Sequence, residues 1–135
     1  LTANHILPSN AFNGMEKEAP SCINMDGKAV FQFATRQVPK SINKIIEETK
    51  ISIDDIKYVV PHQANYRIIE VISRKTGIPM DKFYINIENY ANTSSATIPI
   101  ALDEMVQAGM LERGDKILIT GFGGGLTWGS MLIEW

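Results

Sequence analysis

The chain has 135 residues, 44% of them hydrophobic, and a net charge of −2 from 13 basic and 15 acidic side chains. This size and composition indicate one globular domain, and the balanced charge excludes a global electrostatic drive toward nucleic acid or an anionic membrane. Cys22 is the only cysteine, which excludes an internal disulfide. A chain with a single cysteine fits a reducing cytoplasm best. No Cys/His cluster has the spacing of a zinc site, so we expect no metal.

The sequence also predicts no membrane segment, because its apolar runs are far shorter than the roughly 20 residues that a spanning helix requires. The first residues lack the basic and apolar regions of an export signal. The chain begins at Leu1 rather than Met, which suggests that an upstream segment has been removed.

The first half of the chain predicts a loop region followed by alternating strands and helices. Residues 1–27 are rich in Asn, Pro, Ser and Gly and predict a short strand and a long surface loop, leaving residues 28–135 as the domain proper. Residues 29–33 have strand character, residues 38–50 have helical periodicity, and residues 56–60 read as a buried strand.

The second half repeats this alternation. Helices are predicted over residues 65–76 and 95–108, ended by Gly77 and Gly109, and strands over residues 82–87, 116–120 and 127–135. We therefore predict an α/β fold with a mostly parallel five-stranded sheet in the order β-α-β-α-β-α-β-β. In such sheets functional loops lie at the carboxyl ends of the strands, where His62, Asn92 and Gly123 fall.

His62 and Asn92 are the candidate chemical groups. His62 lies between a strand and a helix start, where the helix dipole favours a neutral imidazole that donates one hydrogen bond. The Asn92 amide donates without titrating, so the pair can stabilise an oxyanion such as the enolate of a thioester. The alternative is structural: His62 caps its helix and Asn92 fills a turn.

Two further features allow both structural and functional interpretations. The glycines at positions 123–125 allow backbone N–H groups to approach a ligand closely, but a tight hairpin would explain them equally well. Their sequence does not match a phosphate-binding loop. A basic patch is formed by Arg67, Arg74 and Lys75. It either docks an acidic partner or a phosphate, or it is simply the solvated face of a helix. Cys22 lacks a helix start to activate it, which argues against a Cys–His nucleophile.

Together, the segments Val60-Pro61-His62-Gln63-Ala64-Asn65, Asn92-Thr93-Ser94 and residues 123–130 resemble the C-terminal half of a β-ketoacyl-[acyl-carrier-protein] synthase III of the thiolase superfamily. The resemblance runs from about Met25 to Trp135. It implies an acyltransferase of fatty acid biosynthesis that joins an acyl-CoA primer to malonyl-acyl carrier protein by decarboxylative Claisen condensation. CoA and carrier-protein thioesters are then substrates, and no cofactor is needed.

The resemblance also implies residue roles. His62 and Asn92 match the catalytic His and Asn, and Gly124 matches an oxyanion-hole glycine. Substrate-binding positions are matched by Gly27, Phe31, Ala64, Asn65 and Phe122, and carrier-protein docking positions by Arg67, Arg74 and Lys75. The family's nucleophilic cysteine lies in an N-terminal half that this sequence lacks, and Cys22 matches no catalytic position, so we expect the chain alone to be inactive.

The resemblance further implies partners: the N-terminal half of the same enzyme and a second copy in a homodimer. Two departures limit it, since Gln32 replaces a lysine of the basic patch in some members and Ala91 replaces the glycine usual before the asparagine. Two alternatives stay open. One is a non-catalytic module that binds carrier protein or CoA, and the other is a condensing enzyme of polyketide or secondary acyl metabolism.

Overall fold

The computed structural model describes residues 2–3 and 23–135. Its helices are α1 (Gly27–Thr49), α2 (Tyr66–Thr76), the short α3 (Ile87–Tyr90) and α4 (Thr97–Gln107). Its strands are β1 (Thr2–Ala3), β2 (Ile23–Asn24), β3 (Ile56–Pro61), β4 (Lys116–Gly123) and β5 (Thr127–Glu134). The rest of the predicted N-terminal loop, with Cys22, lies outside the described residues.

The main sheet is mixed and has three strands in the order β3-β4-β5. β3 pairs in parallel with β4, placing Val60 opposite Ile119, and β4 pairs antiparallel with β5. Strands β1 and β2 form a separate antiparallel pair. The predicted α/β class and closing antiparallel strand are confirmed, but the predicted five-stranded sheet and its strand order are wrong for the described residues.

The first missing strand is residues 29–33, which form the beginning of α1. The Asp26 side chain starts this helix by accepting a hydrogen bond from the backbone N–H of Ala29 at 2.9 Å. Ala34, Val38 and Ile42 continue the segment as a buried stripe at four-residue spacing. This burial overrides the strand preference of the Val and Phe side chains before it.

Helix α1 also continues through Pro39, where the sequence predicted that a separate helix begins. Proline has no N–H to bond the carbonyl one turn earlier, which is that of Thr35. The ammonium group of Lys75, on α2, donates a hydrogen bond to this carbonyl oxygen at 2.8 Å. A side chain from a neighbouring helix thus replaces the backbone bond that the proline removes.

The second missing strand is residues 82–87. Only Phe83 makes a bridge, parallel to Val59, and it follows a turn of 3-10 helix at Met80–Lys82. Beyond it, the buried side chain of Gln63 donates to the carbonyl of Tyr84 at 3.0 Å and accepts from the N–H of Asn86 at 3.3 Å. The side chain of Gln63 therefore makes the hydrogen bonds to this backbone that a neighbouring strand would otherwise make.

The helices cover both faces of the sheet. Helices α1 and α2 pack on one face, in a core formed by Ala34, Val38, Ile42, Ile56, Val59, Ile68, Ile69, Ile72, Ile78, Phe83 and Leu118. Helix α4 covers the other face, where Ala101 and Met105 pack with Val60 and Ile117. Among the helices described, none combines the length and apolar character that crossing a bilayer requires.

Candidate active site

A cleft of about 910 Å³ lies at the carboxyl ends of β3 and β4. Its lining includes His62, Asn92, Thr97, Phe122, Gly124 and Trp128. Most of the lining surface is apolar, with a few polar groups among it, which is typical of a small-molecule site. The predicted meeting of the His, Asn and Gly segments at one edge of the sheet is confirmed.

His62 directly follows β3 and is held at both its backbone and its ring. Its N–H donates to the carbonyl of Thr120 on β4 at 2.8 Å, and its ring stands edge-on to Phe122 with centroids 5.2 Å apart. Burial lowers the pKa of His62, so the imidazole is neutral at neutral pH. The direction agrees with the sequence argument, and burial is a further cause that the sequence did not reveal.

Thr97, which the sequence analysis did not single out, contacts the His62 ring. Its Oγ1 lies 2.6 Å from His62 Nδ1 and 3.0 Å from the carbonyl oxygen of Ser94. The hydroxyl has one hydrogen, which can serve only one of these two acceptors. If it goes to Nδ1, the hydrogen of the neutral imidazole is on Nε2; if it goes to Ser94, Nε2 is an acceptor.

Asn92 follows α3 in an exposed loop that opens on the cleft. Its side-chain oxygen accepts a hydrogen bond from the N–H of Ser94 at 3.0 Å. Since the oxygen is engaged in the loop, the amide nitrogen is the group left to donate elsewhere. Ala91, just before it, has φ 56° and ψ −157°, a conformation that L residues rarely adopt.

The glycines at 123–125 form the turn between β4 and β5. Only Gly125 requires glycine by its backbone, with φ 71°, whereas Gly123 is extended. Gly124 lies on the cleft, and its carbonyl accepts from the Thr127 hydroxyl at 3.0 Å. The hairpin interpretation is therefore correct, and the hairpin also places Gly124 in the lining of the cleft.

A second network that the sequence analysis did not identify connects the His62 and Asn92 segments. Gln63, 1% exposed, binds the Tyr84–Asn86 segment as described above. Glu104 on α4 accepts hydrogen bonds from Asn86 and from the hydroxyls of Tyr84 and Tyr90. These bonds, Asn86 foremost, lower the pKa of the Glu104 carboxyl. The polar residues of this network are not spaced at a helical or strand period, so the periodicity of the sequence does not indicate that they meet.

The other candidate substrate-binding residues lie apart from the cleft lining, except Phe122. Gly27 is the first residue of α1 and Phe31 packs against the core. Ala64 is partly buried, and Asn65 caps α2 through a hydrogen bond from the N–H of Arg67 at 2.9 Å. Their assignment to a substrate channel stays a prediction.

The basic helix is α2, on which Arg67, Arg74 and Lys75 are all exposed. The acidic Glu70 lies between the two arginines on the same side of the helix, one turn from each. The Lys75 ammonium is already bonded to the Thr35 carbonyl. Within the part of the chain that the structure describes, the other two members of the patch, Arg67 and Arg74, make no such side-chain hydrogen bond.

No group of three or more His, Cys, Asp or Glu side chains within residues 2–3 and 23–135 is arranged to hold a metal ion. The polar side chains that line the cleft are instead the imidazole of His62, the amide of Asn92 and several hydroxyls. Such a set donates hydrogen bonds to a carbonyl oxygen that becomes negatively charged.

Comparison with known proteins gives a consistent result. A family model described as 3-oxoacyl-[acyl-carrier-protein (ACP)] synthase III C terminal matches residues 46–135. The chain is 54% identical over 134 residues to a β-ketoacyl-[acyl-carrier-protein] synthase III of Clostridium acetobutylicum, covering 97% of this chain and 41% of that protein. A relative of the same name from Clostridium novyi is 50% identical, with 93% and 39% covered.

Solved structures are similar as well. A 3-oxoacyl-[acyl-carrier-protein] synthase III from Aquifex aeolicus superposes with a TM-score of 0.80 at 42% identity, over 83% of this chain and 36% of that one. A synthase III from Thermus thermophilus gives 0.79 at 36% identity, over 98% and 41%. The chain thus spans about two fifths of the length of these relatives.

Proposed function

Since this chain belongs to the family of 3-oxoacyl-[acyl-carrier-protein] synthase III C-terminal domains, we propose that it is the C-terminal catalytic part of a condensing enzyme that initiates fatty acid synthesis. The reaction is decarboxylative Claisen condensation of an acyl-CoA primer with malonyl-acyl carrier protein. One observation carries the proposal: the cleft brings His62 and Asn92, from separate loops, together with Gly124.

In the proposed reaction, His62 and Asn92 act on the malonyl thioester. As its C–C bond breaks, CO2 leaves and the electron pair moves onto the thioester carbonyl oxygen, giving an enolate. The Asn92 amide nitrogen and His62 Nε2 donate hydrogen bonds to this oxygen, which stabilises the charge that develops there. The fixed amide oxygen of Asn92 supports this role, because it leaves the nitrogen to donate.

The His62 role requires its hydrogen on Nε2. Of the two arrangements that the single Thr97 hydrogen allows, the one that donates to Nδ1 meets this requirement. The lowered pKa of His62 keeps the ring neutral, so that it donates without passing on a proton. Thr97 is therefore proposed to set the tautomer of the imidazole.

Acyl transfer is the other proposed half-reaction. A cysteine of the N-terminal half takes the acyl group from CoA, and the oxyanion of that transfer accepts a hydrogen bond from the Gly124 N–H. The enolate carbon then attacks this acyl thioester, releasing the thiolate and the 3-oxoacyl product. Since the chain spans 41% of its Clostridium acetobutylicum relative, we expect it to condense nothing without that half.

Exposed apolar side chains at the cleft support a partner there. Met25, Trp128 and Met131 line the cleft and are all exposed, as is Leu126 on the adjoining turn. A patch of this kind beside a site marks a surface for association. We propose that the N-terminal half covers part of it and that the whole enzyme is a homodimer.

Acyl carrier protein is the proposed docking partner of α2. Arg67 and Arg74 supply positive charge that an acidic partner or a phosphate binds, while the contact of Lys75 with Thr35 reduces its availability. A non-catalytic module that binds carrier protein would use the same arginines, but it would not need His62 or Asn92.

The test uses the complete synthase, in which this chain is joined to a cysteine-bearing N-terminal half. Loss of CO2 from malonyl-acyl carrier protein and formation of the 3-oxoacyl product are measured for wild type, His62→Ala and Asn92→Ala. We expect each variant to lower the rate by about 10²- to 10³-fold, the usual loss for one oxyanion donor.

Glu112→Gln, outside the cleft lining, is the control and should retain wild-type rates. If His62→Ala and Asn92→Ala keep full activity, the catalytic proposal is wrong. Loss of carrier-protein binding in Arg67→Ala/Arg74→Ala, with no turnover in any protein, would instead favour the binding module.

A further inference from the structure

The carboxylate of Glu104 is the meeting point of three side chains from the segment that precedes Asn92. Oε1 accepts from the Tyr90 hydroxyl at 2.9 Å, while Oε2 accepts from Asn86 Nδ2 at 2.5 Å and from the Tyr84 hydroxyl at 3.2 Å. Hydrogen bonds to an ionised acceptor are about twice as strong as neutral ones. Glu104 therefore fixes α3 and the residues before it against α4.

These bonds fix both ends of the loop that bears Asn92. The loop leaves α3 at Tyr90, which Glu104 binds directly, and it enters α4, the helix on which Glu104 lies. Within the loop, the N–H of Ala91 bonds the carbonyl of Ile87 at 2.8 Å. The unfavourable backbone of Ala91 persists only if its surroundings enforce it, and the Glu104 contacts supply that constraint.

The same contacts fix the Asn92 loop relative to His62. Asn86 gives its side-chain amide to Glu104 and its backbone N–H to Gln63. Gln63 directly follows His62, and its amide also bonds the carbonyl of Pro61 at 3.0 Å. A continuous set of hydrogen bonds thus joins the two loops that carry the donors.

We propose that Glu104 is a positioning residue, which holds the Asn92 loop where the amide can meet the thioester oxygen together with His62. This inference rests on the proposed function. It predicts an uneven effect on the two half-reactions, because decarboxylation uses Asn92 whereas acyl transfer to the cysteine uses Gly124.

The test compares Glu104→Leu and Glu104→Gln in the complete synthase. Leucine removes every acceptor. Glutamine keeps one oxygen for Asn86 and Tyr84 and presents an amide to Tyr90, whose hydroxyl can accept. We expect Glu104→Leu to lower kcat for malonyl decarboxylation by about 10- to 100-fold, since a displacement near 1 Å costs on that order. Acyl transfer should stay within about twofold of wild type, and Glu104→Gln should recover most of the decarboxylation rate.

Asp103→Asn is the matched control, because this neighbouring carboxylate bonds only Gln107 on its own helix among the contacts described, at 2.7 Å. It removes the same charge from α4 and should change neither half-reaction. If Glu104→Leu fails to fold, Tyr90→Phe, which removes a single hydroxyl, serves in its place and should show the same uneven loss. Equal losses in both half-reactions, or no loss in either, would overturn the proposal.

If the wild-type synthase performs neither half-reaction, the proposed function is wrong, and the role of Glu104 in holding the Asn92 loop is tested by a measurement that does not depend on activity. Amide hydrogen exchange is then measured over residues 91–96. Faster exchange in Glu104→Leu than in Asp103→Asn would support the positioning of this loop by Glu104, and equal rates would overturn it.

Discussion

Ala91 carries a backbone conformation suited to glycine, with φ 56° and ψ −157°. Strain of this kind costs about 1–3 kcal/mol, more than the roughly 0.4–1 kcal/mol by which glycine stabilises the unfolded chain. We therefore expect Ala91→Gly to raise the free energy of unfolding by about 1 kcal/mol. Urea unfolding of the complete protein measures it.

Ala29→Gly is the matched control for this prediction. Ala29 is exposed and lies in the first turn of α1, where glycine costs about 1 kcal/mol relative to alanine. The two variants make the same chemical change and should shift stability in opposite directions. A loss of stability in Ala91→Gly equal to that in Ala29→Gly would contradict the strain at Ala91.

The buried imidazole of His62 makes a pH-dependent contribution to stability. Its folded pKa is lowered from 6.5, so below about pH 6.5 the unfolded chain binds the proton more readily than the folded one. Above that pH neither form is protonated and the contribution vanishes. We expect wild type to lose more stability than His62→Gln between pH 7.5 and pH 5, as measured by urea midpoints.

His5, the other histidine of the chain, is present in both proteins, so the comparison isolates the contribution of His62. The same loss of stability in wild type and His62→Gln would show that His62 titrates alike in the folded and unfolded states.

At the scale of elements, the contact between Lys75 and Thr35 joins α2 to α1 where Pro39 removes one backbone hydrogen bond of the helix. Lys75→Met keeps most of the aliphatic chain but removes the donor, leaving a partly buried carbonyl without this bond. We expect a loss of about 1–2 kcal/mol in the free energy of unfolding. Thermal or urea unfolding provides the measurement.

Arg74→Met is the control on the adjacent position, where the side chain is exposed. Substitutions at such sites usually change stability by no more than about 0.5 kcal/mol. If the two variants are equally stable, the carbonyl of Thr35 gains nothing from Lys75, and this lysine is as available to a carrier protein as Arg74.

The elements that the sequence predicted well are those with one dominant local signal. Helix α2 has an apolar stripe, an Asn65 cap and a Gly77 stop with φ 73°, and β4 contains an apolar run at residues 117–119. The beginning of α1 was mistaken for a strand because burial of the stripe that follows overrides the strand preference of its Val and Phe side chains. Residues 82–87 were mistaken for a strand because their backbone is bonded by the distant side chain of Gln63. Neither Lys75 on Thr35 nor Gln63 on Tyr84 is visible in a local pattern.

For the candidate site, the sequence located the loops but not the contacts within them. His62 and Gly123 were correctly placed at the ends of strands, whereas Asn92 reaches the same edge from α3 and not from the strand predicted before it. Thr97 and Glu104 were missed, since their roles follow from distances between helix α4 and the loops packed beside it. Pairing across 35 residues, as between His62 and Thr97, leaves no periodic trace in one sequence.

At the scale of the whole molecule, the described chain is a mixed sheet covered by helices on both faces, with an open cleft beside β5. The face formed by α1 and α2 has a well-buried core, whereas the rim at Met25, Trp128 and Met131 remains exposed. This exposed rim is the observation behind the proposal that the N-terminal half covers part of the cleft.

The chain's two tryptophans, Trp128 and Trp135, lie in unlike surroundings. Trp128 is 48% exposed and stands edge-on to Phe33 at 5.5 Å on the rim of the cleft, while Trp135 packs into the apolar cluster under α4. An indole in water fluoresces at longer wavelength than one in apolar surroundings. A surface that covered the cleft would therefore shift the Trp128 emission toward the blue, while the apolar surroundings of Trp135 would stay the same, so a change in tryptophan emission would report assembly at this rim.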